Sequence, residues 1–301
     1  MQRAQRQDAW RTATESFESW TWGELMFNEV NVAAISFRPK KLDLQGNADK
    51  LEAMFRDAAR EQAQLAVGPE GVLEGYVVND IIAGDIPAQD INEVAVTMRS
   101  KVITRFRNLA QELNMCLAFG CAQNVAGDIY NCAVFIDNQG RLRGKYHKMQ
   151  LAEGTHPSWW YDRLGRRSRA VDTPFGRAGF LICNDRWNPD LARIPVLDGA
   201  RYLIIPSYGL RGPDQDRAVL ARARENGVPI VEANVGVTLI ISKGEIVARS
   251  RKIETMVTAT IEIPAAPSSS NRDLQESVFL KKRGPAMKAN YRRTMQNLKQ
   301  R

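Results

Sequence analysis

The sequence predicts a single domain of the α/β (α+β) class, with helices on the outside and sheets on the inside. Segments with helical spacing alternate with short apolar strands in the first half of the chain, and strands follow one another in runs in the second half. Apolar residues make up 44% of the 301 residues and charged residues 25%, a composition that can bury a sizeable core. The spacing alone leaves open whether the strands form one Rossmann-like sheet or a sandwich of two sheets.

Apolar spacing predicts the elements of the first half of the chain. Residues 47–64 and 92–113 carry apolar side chains at helical intervals. Shorter apolar runs predict strands, which are expected at residues 30–37, 65–67, 115–121, 132–136 and 142–146. The turn Asn138-Gln139-Gly140 lies between the last two of these strands, and it predicts that they form a β-hairpin.

The second half alternates strands and helices before it ends in a run of strands. Strands are predicted at residues 176–183, 202–205 and 230–233, with helices at 189–198 and 214–226 between them. Three further strands follow closely enough to predict an antiparallel meander, at residues 238–241, 245–248 and 256–261.

Both ends of the chain differ in composition from its middle. Residues 1–28 form a polar leader with helical character, and residues 264–301 are rich in Pro and Ser and then basic. The leader lacks the apolar segment of a secretory signal, and no apolar run approaches the roughly 18 residues that span a bilayer. We therefore expect a cytoplasmic protein that does not enter a membrane.

The formal net charge of +8 raises the question of nucleic-acid binding. The excess charge is concentrated near the C-terminus, without interleaved aromatic residues, in Lys281, Lys282, Arg283, Lys288, Arg292, Arg293, Lys299 and Arg301. We expect this extension to be solvated or to pack on a partner subunit, and we do not expect nucleic acid as a partner.

Four cysteines and two histidines show no ligand spacing for zinc, and we expect no metal site. Cys116, Cys121 and Cys132 lie in apolar runs and are predicted to be small buried hydrophobic residues. Cys183 is different because a polar and charged segment begins directly after it, which places its side chain where a strand leaves the sheet.

Three residues that can carry chemistry each stand at the end of a predicted strand: Glu70, Lys148 and Cys183. A partly desolvated carboxylate is a better base near neutral pH, and a thiol attacks as a thiolate that a base or cation must help to form. Taken singly, each has a plainer interpretation as a turn acid, a solvated strand end or an inert buried thiol. Glu74, four residues after Glu70, is expected to make a local ion pair.

The motifs around these three residues resemble those of the carbon-nitrogen hydrolase (nitrilase) superfamily over roughly residues 30–263. They read Gly68-Pro69-Glu70-Gly71-Val72-Leu73-Glu74-Gly75-Tyr76, then Gly144-Lys145-Tyr146-His147-Lys148, then Leu181-Ile182-Cys183-Asn184-Asp185-Arg186-Trp187-Asn188-Pro189-Asp190. The resemblance implies a four-layer αββα sandwich, a hydrolase domain at residues 29–263, and assembly into homo-oligomers.

The resemblance also implies a mechanism without a cofactor. Glu70 takes the thiol proton, Cys183 attacks an amide-type carbon, and Lys148 and the backbone N–H of Asn184 hold the developing oxyanion. The substrate implied is a small linear amide or N-carbamoyl compound. A nitrilase, an amide acyltransferase and a non-catalytic binding protein on the same scaffold remain alternatives.

Two positions depart from the pattern of the superfamily. Many members carry a second catalytic glutamate shortly after the lysine, and Glu153 is the nearby candidate here. The nucleophile motif is most similar to that of enzymes that hydrolyse N-carbamoyl amino acids, in which a second arginine often stands at the place of Trp187. Arg186 could clamp a substrate carboxylate bidentately or have a structural role, and the sequence leaves both interpretations open.

Overall fold

The computed structural model of the protein describes residues 27–152, 161–209 and 212–265. Within these ranges two six-stranded sheets pack face to face, and helices cover the outer face of each sheet. This is the αββα sandwich, so the prediction of helices outside and sheets inside is confirmed, and the two-sheet alternative is the correct one. Nearly all of the predicted leader and of the basic C-terminal extension lies outside the described residues.

The first sheet carries the strand that precedes Glu70. Its strands in chain order are β1 (Phe27–Ser36), β2 (Leu65–Val67), β3 (Cys116–Val125), β4 (Asp128–Ile136), β5 (Leu142–His147) and β12 (Thr255–Pro264). In space they follow the order β12-β1-β2-β3-β4-β5. The central pairs β1-β2 and β2-β3 are parallel, and the other pairs are antiparallel.

The second sheet carries the strand that precedes Cys183. Its strands are β6 (Val171–Thr173), β7 (Gly176–Phe180), β8 (Tyr202–Ser207), β9 (Ile230–Asn234), β10 (Val237–Ser242) and β11 (Glu245–Ser250). They lie in the order β11-β10-β9-β8-β7-β6, with β7, β8 and β9 parallel to one another. The carboxyl ends of these three strands therefore meet at one edge, which is where side chains of a site converge in such sheets.

Six α-helices connect the strands within the described ranges: α1 (Leu44–Arg60), α2 (Val78–Ala83), α3 (Ile91–Val94), α4 (Lys101–Glu112), α5 (Pro189–Leu197) and α6 (Pro213–Asn226). The carboxylate of Asp43 caps α1 by accepting from the N–H of Gly46 at 3.0 Å, which fixes where the helix begins. Two short 3₁₀ helices, Ala88–Asp90 and Cys183–Trp187, complete the set. None of the described helices combines the length and the apolar character that a bilayer crossing requires.

Three apolar layers hold the sandwich together. The first sheet buries its outer face against α1 and α4 through Leu51, Phe55, Ile103, Phe106 and Phe119. The two sheets pack on each other through Val32, Val67, Phe135, Phe180, Ile204 and Val231. The second sheet buries its outer face against α5 and α6 through Leu191, Ile194, Leu203, Val219 and Ala223. Each of these valine, leucine, isoleucine and phenylalanine side chains contributes roughly 1.5–3 kcal/mol when it leaves water.

Two predicted elements are wrong in detail. The strand expected at residues 256–261 is not the last strand of a meander, because β12 crosses to the first sheet and pairs antiparallel with β1. The helix expected over residues 92–113 is interrupted, since Val96 bridges to β3 and accepts from the N–H of Asn124 at 2.9 Å. Apolar spacing cannot reveal either event, because an edge strand or a single bridging valine looks the same whichever partner it finds.

Gly120 in β3 gives the loop after β2 room to pack, which leads to the first testable prediction. A Cβ at this position would lie 2.5 Å from the Cα of Glu70 and 2.8 Å from the backbone nitrogen of Gly71. Gly120→Ala should therefore push this loop away and lower the free energy of unfolding by about 1–3 kcal/mol. Denaturant unfolding measures the change, and Gly212→Ala is the control because, among the described residues other than its chain neighbours, none lies within 4 Å of its added Cβ. Equal stability of the two variants would contradict the packing described.

Candidate active site

Glu70 lies in the loop that follows β2 and is fully buried. Its backbone N–H donates to the carbonyl of Ser207 in β8 at 3.2 Å, so this loop of the first sheet is tied to the second sheet. Its Oε1 accepts from Nζ of Lys148 and from Nδ2 of Asn131, both at 2.7 Å. The carboxylate is thus held in one orientation between the two sheets.

Lys148 follows β5 directly and is also fully buried. Its backbone N–H donates to the carbonyl of Asn131 at 2.9 Å, and its carbonyl accepts from the N–H of Gly165 at 2.8 Å. The ammonium group lies 5.8 Å from the ring centroid of Tyr76, within reach of a cation–π interaction. A buried lysine needs a counter-charge, and Glu70 supplies it at 2.7 Å.

Cys183 is the first residue of the second 3₁₀ helix, a short distance beyond β7. Its φ of +43° lies in the left-handed region, which residues other than glycine rarely adopt and which is concentrated at functional sites. The side chain is only 7% exposed, and Sγ donates to the carbonyl of Tyr208 at 3.6 Å. The Tyr208 ring in turn stacks on Tyr76 at 4.6 Å between centroids, and the Tyr76 ring is the one over which the ammonium of Lys148 lies.

Arg186 lies behind the thiol and is fully buried. Its Nη2 donates to Sγ of Cys183 at 3.1 Å, and its Nε donates to the carbonyl of Cys183 at 2.7 Å. Nη1 forms an ion pair with the fully buried carboxylate of Glu232 in β9. The guanidinium of Arg186 is thus engaged by Cys183 and Glu232, which argues against a clamp on a substrate carboxylate.

The charges around Cys183 act on its thiol in opposite directions. Burial raises the pKa of Cys183 to about 11, and the negative charge of Glu70 raises it as well, whereas the positive charges of Arg186 and Lys148 lower it. The thiol is therefore protonated near neutral pH, and reaction at sulfur requires a base. The two cations are the groups that can stabilise the thiolate once it forms.

The comparison with known families covers most of the chain, since residues 31–269 match the family model described as carbon-nitrogen hydrolase. The chain belongs to the carbon-nitrogen hydrolase family. Among the relatives of this hydrolase is a nitrilase of Pyrococcus abyssi, 27% identical over 260 residues that span 82% of this chain and 95% of the relative. An N-carbamoylputrescine amidase of Oryza sativa subsp. japonica is 26% identical over 218 residues, spanning 69% and 70% of the two chains.

Solved structures of amidases share the fold of this hydrolase. A double mutant of the amidase from Nesterenkonia sp. AN1, in complex with acrylamide, superposes with a TM-score of 0.66 at 19% sequence identity. The superposition covers 81% of this chain and 93% of the amidase. At this identity the likeness establishes the fold, which confirms the nitrilase-type sandwich that the motifs imply.

Asp185 is a residue whose position in the site the sequence analysis did not foresee, although it stands in the nucleophile motif. Its fully buried carboxylate accepts from the hydroxyl of Tyr146 and the N–H of Gln150, both at 2.8 Å, and from the N–H of Ile182 at 2.9 Å. Burial raises the pKa of Asp185 to about 6. These bonds fix the turn that carries Cys183 to the residues that follow Lys148.

Glu74 is placed differently from the local ion pair that the sequence predicted for it. The turn after Glu70 folds inward, so that the Glu74 side chain is buried and accepts from the N–H of Ala122 at 2.8 Å. It borders a narrow cavity that Tyr76, Asn131 and Asp162 also line. Burial raises the pKa of Glu74 to about 7, with a smaller contribution from the negative charge of Glu70.

The remaining candidates of the sequence analysis are placed less closely. Asn184 follows Cys183 in the 3₁₀ helix, and its side chain donates to the carbonyl of Leu151 at 3.2 Å. The role of its backbone N–H toward an oxyanion stays a prediction, and Glu153 lies outside the described residues. The other three cysteines are buried, as predicted. In the part of the chain that the structure describes, no three His, Cys, Asp or Glu side chains are grouped to hold a metal ion.

The raised pKa of Glu74 predicts how stability depends on pH. The folded-state pKa of about 7 exceeds the ordinary value of 4.5, so this group contributes stability that is fully present below pH 4.5 and is lost as the pH rises through about 7. Glutamine cannot ionise, and Glu74→Gln should therefore gain stability relative to the parent above this window, by up to about 3 kcal/mol.

Denaturant unfolding across the window measures this difference between Glu74→Gln and the parent. Glu93→Gln, at an exposed position, provides the control for the same substitution of a glutamate that is not buried. A constant difference between Glu74→Gln and the parent at all pH values would show that Glu74 does not titrate in this range.

Proposed function

We propose that this carbon-nitrogen hydrolase cleaves a non-peptide C–N bond of a linear amide or N-carbamoyl compound, through a thioester on Cys183. The observation that carries the proposal is the fully buried ion pair of Glu70 and Lys148, 2.7 Å apart, whose charges act on the Cys183 thiol. Removing two charges from water is costly, and left-handed backbone at a residue other than glycine, such as Cys183, is concentrated at functional sites, so the two features together support a catalytic role for the pair.

The first half of the proposed reaction forms the thioester and releases the amine. Glu70 accepts the proton of the Cys183 thiol, and the sulfur electron pair attacks the carbonyl carbon of the substrate. The carbonyl π electrons move to oxygen, where the ammonium of Lys148 and the N–H of Asn184 stabilise the negative charge by a few kcal/mol. Glu70 then gives its proton to the nitrogen, the C–N bond breaks, and ammonia or an amine leaves.

The second half returns the enzyme to its starting state. Water loses a proton to Glu70 and attacks the thioester carbon, and the same donors hold the second oxyanion. The C–S bond breaks, the sulfur recovers its proton from Glu70, and the acid is released. We keep Glu153 as the candidate for a second glutamate that orients the substrate or the water.

The position of Arg186 bears on the substrate. Because its guanidinium is engaged by Glu232 and by Cys183, it offers no free fork to a substrate carboxylate. We therefore favour substrates that need no clamp on an α-carboxylate, namely simple linear amides and N-carbamoyl amines. A relative named as an N-carbamoylputrescine amidase is compatible with N-carbamoyl amines. A structural neighbour named as an amidase in complex with acrylamide is compatible with simple linear amides.

Glu70→Gln separates the role of a base from that of a fixed charge. As a charge alone, Glu70 raises the pKa of Cys183, and its neutralisation would speed alkylation of the thiol. As the proton acceptor, its loss should slow alkylation by iodoacetamide near neutral pH, by at least about tenfold. Peptide mapping should find the fast-reacting thiol at Cys183 in the parent. Glu74→Gln is the matched control for a buried carboxylate, and faster labelling of Glu70→Gln would refute the role of a base.

A substrate panel tests the reaction class by measuring ammonia release. We expect turnover of linear amides or N-carbamoyl amines in preference to N-carbamoyl α-amino acids, with nitriles as the arm for the nitrilase alternative. Cys183→Ala should lower the turnover rate by about 10³-fold or more. The turnover rate of Glu153→Gln is measured in the same assay. Faster transfer of the acyl group to an added amine substrate than to water would favour an acyltransferase. Wild-type turnover by Cys183→Ala would overturn the mechanism.

A further inference from the structure

The guanidinium of Arg186 donates two hydrogen bonds to Cys183. One nitrogen donates to the backbone carbonyl of this residue at 2.7 Å, and another donates to its sulfur at 3.1 Å. Arg186 is fully buried, so no water competes for these donors. The fork therefore fixes both the backbone of the strained turn and the direction in which Sγ points.

Glu232 is held as firmly as Arg186. Its fully buried carboxylate accepts from the hydroxyl of Ser207 at 2.8 Å and from the side-chain amide of Gln215, in addition to its ion pair with Arg186. The carbonyl of Ser207 is the group that accepts from the N–H of Glu70. A continuous series of bonds thus runs from the backbone of the proposed base, through Ser207, Glu232 and Arg186, to the sulfur of Cys183.

From this geometry we infer that Arg186 is a further catalytic residue, which stabilises the thiolate of Cys183. Glu232 is the positioning residue: it holds the guanidinium against the sulfur, and its negative charge offsets part of the positive charge of Arg186. The inference rests on the proposed function in one respect, namely that Cys183 is the nucleophile. Arg186 is then a second cation of the site besides Lys148. It acts on the sulfur, whereas Lys148 acts on the oxyanion.

The chemical reason is that the contact strengthens only when sulfur is charged. When the thiol proton passes to Glu70, the hydrogen bond from the charged guanidinium of Arg186 to a neutral sulfur becomes an ion pair with a thiolate, which is a stronger interaction. In the thioester the sulfur is neutral and the contact weakens again. When the C–S bond breaks in the second half of the reaction, the leaving thiolate regains it. Arg186 thereby lowers the barrier to both halves, because in both of them sulfur carries negative charge.

A purely structural ion pair between β9 and the 3₁₀ helix is the competing explanation. Such a pair would matter for folding, and its loss would lower stability without changing the ionisation of the thiol. The two explanations differ in the sign of the effects of the two partners. Removal of the cation should make the thiolate harder to form, whereas removal of the anion should leave Arg186 with the thiolate as its counter-charge and make the thiolate easier to form.

The experiment measures the rate of iodoacetamide alkylation of Cys183 against pH in the full chain. Arg186→Gln should move the midpoint of the rate–pH curve to higher pH. It should also slow alkylation near neutral pH by roughly tenfold, the change that one pKa unit produces. Arg186→Lys should recover part of the loss, and Glu232→Gln should move the midpoint to lower pH. Arg222→Gln is the matched control, since Arg222 is buried and donates to the carbonyl of Arg186 without reaching the sulfur.

Steady-state kinetics on the best substrate of the panel add a second readout. Arg186→Gln should lower kcat and leave KM unchanged, because the guanidinium contacts the sulfur and not the substrate. Circular dichroism and thermal unfolding establish that each variant is folded. If Arg186→Gln does not fold, Glu232→Gln and Arg186→Lys carry the test.

Midpoints of Arg186→Gln and Glu232→Gln that coincide with the parent, or that both move to higher pH, would overturn the inference. If Arg186→Gln does not fold, the decisive variant is Glu232→Gln. A midpoint in Glu232→Gln that equals that of the parent, or that moves to higher pH, would then overturn the inference. Either result is distinguishable from failure of the proposed function, which would appear as retained turnover in Cys183→Ala.

Discussion

The buried ion pair between Glu70 and Lys148 is the constraint on which the rest of the site depends. Two opposite charges at 2.7 Å with no exposed surface are stable only if neither can move away from the other. Asn131 in β4 secures both, since its side chain donates to Glu70 and its carbonyl accepts from the N–H of Lys148. The strand order β2-β3-β4-β5 is what places these three residues together.

The second sheet completes the site from the opposite side. Ser207 at the end of β8 accepts from the backbone of Glu70, and the carbonyl of the next residue, Tyr208, accepts from the thiol of Cys183. The apolar layer between the sheets fixes the distance across which these bonds form. The proposed proton acceptor from one sheet and the proposed nucleophile from the other can then act on one small substrate, and orientation of this kind is a large part of enzymatic rate enhancement.

The sequence predicted the parts of this arrangement that local pattern encodes. The strand Leu65–Val67, the hairpin of β4 and β5, and the three motif residues follow from spacing and from resemblance. The crossing of β12 to the first sheet and the inward turn of Glu74 did not follow, because both depend on contacts with distant strands. The engagement of Arg186 was equally hidden, since its partner lies 46 positions later in the chain.

The most direct test of the account is to locate the acyl group during turnover. Acid quench of the enzyme mixed with its best substrate, followed by digestion and mass spectrometry, should find the acyl mass on the peptide that contains Cys183. The account predicts this adduct on no other cysteine, since Cys183 is the proposed nucleophile and the charges of Glu70 and Lys148 act on its thiol. An acyl group carried by any other residue during turnover would contradict it.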